Sequence, residues 1–167
     1  GRVLVRSLLD RTVFVLGRAL TVTAPAGLLI WGMGNMDAGG VSLLERAAGV
    51  LSPLGRLMGL DGMVLLAFLL GFPANEIVLP IILMAYLQSG VLAPMDDKTA
   101  ILSLLSANGW TVKTAVCMAI FSLFHWPCST TCLTIKKETG SLKWTAVSIL
   151  LPTGIGVLLC ILVNLVF

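Results

Sequence analysis

The chain has 167 residues, of which 57% are hydrophobic and only 11% charged, with 11 Lys and Arg against 8 Asp and Glu. Soluble domains carry roughly 25% charged residues, and here the few charges leave four uncharged runs, at residues 19–36, 77–95, 114–135 and 144–167. That excludes a soluble enzyme, a disordered tail and a nucleic-acid-binding domain, and indicates an all-α, polytopic membrane protein, since a helix needs roughly 20 apolar residues to cross about 30 Å of hydrocarbon. The runs are solid rather than alternating, which speaks against a membrane β-barrel.

The chain opens Gly1-Arg2-Val3 without a methionine, and Arg2, Arg6, Arg11 and Arg18 precede or interrupt its first apolar stretch. The stretch continues to Trp31 with no small-x-small cleavage site, so it reads as the cut edge of a longer protein and not as a signal peptide. Residues 1–36 should form an interfacial lead-in with snorkelling arginines, then a first span that tolerates Pro25. Residues 35–40 read as a turn. Residues 42–59 read as an amphipathic helix on the membrane surface. Ser42 is its N-cap, Glu45 completes a capping box, and Leu43, Leu44, Ala47, Leu51, Leu54 and Met58 recur at helical spacing.

Residues 63–70 are apolar but cover only about half a bilayer at 1.5 Å per residue. They stop at Gly71-Phe72-Pro73-Ala74-Asn75-Glu76, and a second apolar piece follows over 77–87. A Gly/Pro break holding an amide and a carboxylate inside an apolar region marks a discontinuous or re-entrant helix. Beyond Pro94, Asp96, Asp97 and Lys98, a short helix is expected over 99–106, then a turn at Asn108-Gly109. Thr111 caps a span over 111–135 that is interrupted at His125-Trp126-Pro127-Cys128. A basic loop at 136–143 leads to the last span, 144–167, softened by Pro152, Gly154 and Gly156.

The charges also set a topology. If 63–87 crosses the membrane, the Arg-rich start and the Lys-rich loop lie on opposite sides, against the positive-inside tendency. If 63–87 is a re-entrant hairpin, both lie in the cytoplasm, 37–61 lies outside, and the C-terminus is extracytoplasmic. The hairpin is the preferred reading.

Two constellations can carry chemistry. An ionisable group at membrane depth needs a polar path or a partner, and opened backbone offers carbonyls and a helix N-terminus to an ion. Asn75 and Glu76 sit at such a place, although Glu76 also reads as a plain capping carboxylate. His125, Cys128 and Cys132 stack on one face if the helix continues. An imidazole with thiols suits a borderline divalent ion such as Fe2+ or Zn2+. Cys117 joins that face only if the helix stays straight past Pro127, and Cys160 reads as packing. The four cysteines lie in apolar runs, so a disulfide framework is not expected. Trp31, Trp110, Trp126 and Trp144 lie near span ends, as in an aromatic belt. No G-x-x-x-x-G-K-[ST] nucleotide motif occurs.

Several segments are familiar together. They are Gly71-Phe72-Pro73-Ala74-Asn75-Glu76-Ile77-Val78-Leu79-Pro80, His125-Trp126-Pro127-Cys128-Ser129-Thr130-Thr131-Cys132, and Lys137-Glu138-Thr139-Gly140-Ser141-Leu142-Lys143-Trp144. With Leu16-Gly17-Arg18-Ala19 and Ala24-Pro25-Ala26-Gly27, they resemble the C-terminal membrane region of the bacterial ferrous iron transport protein B family. The resemblance covers nearly the whole chain and is most specific at the Pro-Cys pair with its downstream Lys-Glu-Thr and Trp.

The resemblance implies that residues 1–167 are one gate domain, the second of two nucleoside-recognition-like repeats. It implies a multi-pass protein of the inner membrane that carries Fe2+ as substrate, with Cys128 at a family position proposed to contact the ion. GTP and Mg2+ would enter only through an N-terminal GTPase domain outside this chain, so the chain itself is not expected to be an enzyme. Expected partners are the first gate repeat, that GTPase domain, the lipid bilayer, small cytoplasmic accessory proteins of the iron system and further copies in a homo-oligomer, with no nucleic acid. Two rivals remain open: a non-transporting, sporulation-type gate scaffold, and a nucleoside-type transporter repeat in which Asn75 and Glu76 bind a sugar hydroxyl.

Overall fold

A computed structural model describes residues 2–36, 40–87 and 98–167. The expected turn at 37–39 and the polar stretch 88–97 lie outside the described residues, as do the side chains of Arg2, Arg6, Arg11 and Arg18. Among the described residues the chain is helical with no strand, and two helical stretches, Val112–Thr139 and Leu142–Val166, are long and apolar enough to cross a membrane. A third crossing arises if one bent helix pair counts as a span.

Helix α1 (Arg2–Asn35) is continuous, so the lead-in and the first apolar run form one element with Pro25 inside it. Helix α2 (Leu43–Leu57) begins at the expected capping box: Glu45 N–H donates to Ser42 Oγ at 3.2 Å, and Ser42 N–H to Glu45 Oε2 at 3.3 Å. Such a cap is worth about 1 kcal/mol. The helix ends at Gly59, whose φ of +69° favours glycine.

Helix α2 is more than a surface element, which extends the reading from its periodicity. It meets α3 (Gly62–Leu70) at 111°, and together the two are a broken span or a re-entrant loop. The elbow depends on missing side chains. A Cβ on Gly62 would lie 2.0 Å from the Ala48 carbonyl oxygen, and one on Gly55 would lie 2.8 Å from the Asp61 backbone. Leu44, Ala48 and Gly55 face inward, while Val50, Leu54 and Leu57 face outward.

Helix α3 is the innermost element, with every residue from Gly62 to Phe68 buried. Helix α4 (Val78–Leu87) returns beside it and buries Val78 and Ile81 through Met84. The hairpin is closed at its open end by a carboxylate. Asp61 Oδ1 accepts the Val64 N–H at 2.6 Å and so caps α3, and Asp61 Oδ2 accepts the Tyr86 hydroxyl. The Trp110 indole N–H donates to the same Tyr86 oxygen at 2.9 Å. A continuous helix would hold residues 61 and 86 about 37 Å apart at 1.5 Å per residue. The segment therefore doubles back, as in the preferred hairpin reading.

Helix α5 (Lys98–Ala107) leads through Gly109, at φ +83°, to α6 (Val112–Phe124). Thr111 caps α6 as expected, in a box closed by Thr114. Helix α7 (Ser129–Thr139) continues α6 after a break and stops at Gly140, at φ +64°. Helix α8 (Leu142–Val166) packs along both. Gly156 permits the closest approach: a Cβ there would meet Phe124 Cβ at 2.9 Å. Leu150, Leu151, Leu158, Leu162 and Leu165 stay exposed, a surface suited to lipid. At its far end Asn164 donates to the Arg56 and Leu57 carbonyls, closing the C-terminal turn of α2.

The elbow gives two substitutions of opposite sign. Gly62→Ala should destabilise the detergent-solubilised protein by about 1–3 kcal/mol, because backbone must move to admit the methyl. Gly49→Ala, where nothing lies within 4 Å of the added Cβ, should stabilise α2 by up to about 1 kcal/mol. Thermal melts check both, and equal effects would remove the packing argument.

Candidate functional site

Each break has a local cause. At the first, Gly71 ends α3, with its N–H donating to Ala67 O at 2.8 Å. A Cβ on Gly71 would press on Val78 Cγ2 at 2.5 Å, so the tight return into α4 requires glycine. Ala74 N–H then donates to Gly71 O, and Asn75–Ile77 form a single 3-10 turn. At the second, Pro127 disfavours the helical region for Trp126 before it and supplies no N–H. His125, at ψ 175°, closes α6, and Cys128, at φ −61° and ψ 160°, is the N-cap of α7.

The two breaks meet. Ser129 N–H, the first amide of α7, donates to Phe72 O at 2.9 Å, and Ser129 Oγ lies 3.5 Å from Pro73 O. Ser129 is buried. An orphan amide at a helix N-terminus and an orphan carbonyl in the hairpin tip thus satisfy each other. The tip of the α3–α4 hairpin touches the break between α6 and α7. The sequence contains both breaks but no sign of this contact beyond a small polar residue opening a half-helix.

The anticipated site residues divide. Cys128 lies at the junction, half-buried, with its sulfur 3.1 Å from Thr130 Oγ1 and 3.2 Å from Thr131 Oγ1. Cys132 is buried one turn on, and its thiol donates to Pro127 O at 3.4 Å. His125 points elsewhere, its ring 5.0 Å from that of Phe68 and 6.1 Å from that of Trp126. The expected stacking of His125, Cys128 and Cys132 on one face does not occur, because residues 125–128 are not helical and the 3.6 period lapses there. Asn75 and His125 both line a cleft beside the junction, whereas Cys128 does not. Glu76 is exposed in the 3-10 turn. Cys117 packs on α8, where Cys160 Sγ donates to Cys117 O at 3.4 Å, and both thiols are fully buried. Among the described residues no three His, Cys, Asp or Glu side chains group as a metal site. The junction therefore offers one thiol and main-chain groups rather than a closed cage.

Sequence reasoning missed the residues that hold this arrangement: Ser129, the Asp61–Tyr86–Trp110 set and Asn164. Trp110 was expected as a membrane-belt residue, yet its N–H is directed at Tyr86. An acid before an apolar helix and a tyrosine near the end of the next are the available signal, and it is generic.

Comparison with known proteins supplies relatives. The family model described as gate, nucleoside recognition, matches residues 16–142. The Fe(2+) transporter FeoB of Leptospira biflexa serovar Patoc is 26% identical over 129 residues, which are 73% of this chain and 18% of that protein. The chain thus corresponds to less than a fifth of that relative's length. No solved structure matches the chain.

The junction can be tested through its amide. Ser129→Pro removes the donor at a helix position where proline is otherwise tolerated, and Cys128 before it already has the extended conformation proline demands. The loss should be at least about 1 kcal/mol, seen as a lower melting temperature, while Ser129→Ala should change less. Equal melting of both variants would mean that the contact contributes nothing.

Proposed function

Since the chain belongs to the gate (nucleoside recognition) family, we propose that it is the membrane-permease portion of a ferrous iron transporter, moving Fe2+ across the inner membrane under control of a GTPase domain outside this chain. The observation that carries the reading is the meeting of two helix breaks at Ser129 and Phe72, with Cys128 at the same N-terminus. Transporters bind their cargo where interrupted helices face each other, since non-helical backbone at membrane depth is tolerated where it is enclosed by protein or lines a cavity. Similarity to the Fe(2+) transporter supports Fe2+ as the cargo, and a thiol suits Fe2+ better than it suits Mg2+ or Ca2+.

In this reading the hairpin lowers its tip to the level of the α6–α7 break. Fe2+ passes the junction by exchanging waters for Cys128 and main-chain oxygen, and Glu76, exposed beside the tip, attracts the cation. Cys132, whose thiol already donates to the Pro127 carbonyl, supports the break. The first gate repeat, a nucleotide-binding domain with GTP and Mg2+, accessory proteins and an oligomeric state belong to the longer protein. None of the reaction chemistry is assigned to this chain.

Two experiments follow. In cells expressing the full-length polypeptide, Cys128→Ser should reduce Fe2+ uptake to background, while Cys160→Ser, a packing thiol, should retain it. Normal uptake with Cys128→Ser would remove the thiol from the path, and uptake of a nucleoside in place of Fe2+ would replace the cargo. For orientation, this reading with a re-entrant 63–87 has residue 41 outside and Ser141 in the cytoplasm. A membrane-impermeant thiol reagent applied to intact cells should label Val41→Cys and not Ser141→Cys, and labelling of both would put them on one side and overturn the re-entrant reading of 63–87.

A further inference from the structure

The turn between α7 and α8 gathers positive charge in one place. It carries Lys136, Lys137 and Lys143, and Glu138 is the only acid after Asp97. All three lysines are exposed. The turn itself is tied down. Gly140 N–H donates to Lys136 O at 3.0 Å, Thr139 Oγ1 donates to Ile135 O at 2.7 Å, and Ser141 N–H donates to Thr139 Oγ1 at 3.3 Å. The lysines that end α7 are thereby kept close to the one that opens α8. Ser141 makes no side-chain cap to α8, so the partial positive charge of that N-terminus adds to theirs.

The place of this charge matters as much as its sign. Val112–Thr139 and Leu142–Val166 are the two stretches long and apolar enough to cross a membrane, so the turn joining them sits where hydrocarbon gives way to headgroups. Leu142 and Trp144, both exposed in the first turn of α8, suit that boundary, where Trp is enriched. Past Lys143 the helix presents an apolar strip. At 3.6 residues per turn, Val147, Leu150, Gly154 and Leu158 fall on the face of Lys143, and all four are exposed. A Cβ on Gly154 would meet nothing within 4 Å, so the missing side chain leaves a gap in the strip. From Lys143 to Gly154 the helix covers about 16 Å at 1.5 Å per residue, close to half of the roughly 30 Å hydrocarbon core.

Lysines alone would take any anion, and an apolar strip alone would take any lipid. Cations at the boundary with one leaflet's depth of apolar surface beneath them fit a single ligand that has both parts. We infer that the α7–α8 turn binds an anionic phospholipid of the phosphatidylglycerol class. Lys136, Lys137 and Lys143 meet the headgroup phosphate, and an acyl chain lies along Val147, Leu150 and Gly154. A zwitterionic lipid carries its own ammonium and gains less from the lysines. The site does not depend on the cargo. Helix α7 runs from the junction at Cys128 to this turn, so a lipid held here steadies the far end of the helix that carries the junction.

The test uses the full-length protein in phosphatidylcholine vesicles doped with a photoactivatable lipid. The lipid has a diazirine in its acyl tail and either a phosphatidylglycerol or a phosphatidylcholine headgroup. Crosslinks mapped by peptide mass spectrometry should fall on residues 147–154 about fivefold or more often with the anionic lipid. Lys136→Gln, Lys137→Gln and Lys143→Gln together should erase that excess and leave the labelling common to both lipids. Lys143→Glu, a single change, should remove most of the excess and decides the matter if the triple variant does not fold. Equal yields from the two lipids overturn the site, as does an excess that survives these substitutions. Inorganic phosphate, set against chloride at equal ionic strength, should leave the excess in place; its loss would mean that the lysines hold free phosphate and no lipid. Labelling of 147–154 by neither lipid would mean that protein covers this face, and overturns the site too. The permease reading is tested apart from this. If Fe2+ uptake depends on Cys128 and no lipid preference is found, that reading stands and the site falls. If the preference is found in a protein that carries no Fe2+, the site stands and the permease reading falls.

Discussion

The Asp61 carboxylate has two oxygens and uses them in two directions. One caps the first turn of α3, and the other receives the hydroxyl of Tyr86 at the end of α4. The bond to Tyr86 spans 25 positions of chain. It fixes the open end of the hairpin, and the lengths of α3 and α4 then fix how far the tip descends. Nine and ten residues of helix reach about 14 Å at 1.5 Å per residue, close to half a bilayer. Ser129 waits at that level. Had α3 and α4 run on as one rod, Phe72 would have no partner in α7, and neither break would have anything to face.

The membrane character was legible from charge alone, and both breaks from Gly71, Pro73 and Pro127, because these residues act on their own backbone. The caps at Ser42 and Thr111 were legible for the same reason. The doubling back of 63–87 was expected from its Gly/Pro break, with the distribution of distant lysines and arginines favouring a hairpin over a crossing. What the sequence did not contain was contact. Periodicity stacked His125 with Cys128 and Cys132, but Pro127 lies between them, and past it the helical count no longer says what faces what. Periodicity likewise made 42–59 a surface helix. It is amphipathic, yet its inner face presses on α3 through Gly55 and Gly62, and a missing side chain leaves no mark in a pattern of apolar positions.

Polar groups at depth are arranged by function rather than by type. Two thiols, Cys117 and Cys160, are enclosed where α6 crosses α8 and behave as small apolar groups. A third, Cys132, is tied to the break it follows. Only Cys128 combines partial exposure with a place at the junction. The cleft beside it contains no formal charge, and this matters energetically. A carboxylate there would bind a divalent ion tightly, and desolvating it in the empty state would be expensive. A lining of neutral groups avoids that cost, and Glu76 at the hairpin tip is exposed.

The link between Ser129 and Phe72 runs from amide to carbonyl. It is therefore indifferent to which side chains the two residues carry, so long as neither position loses its backbone group. Side chains around the joint can therefore be exchanged without dismantling the contact between the hairpin tip and α7.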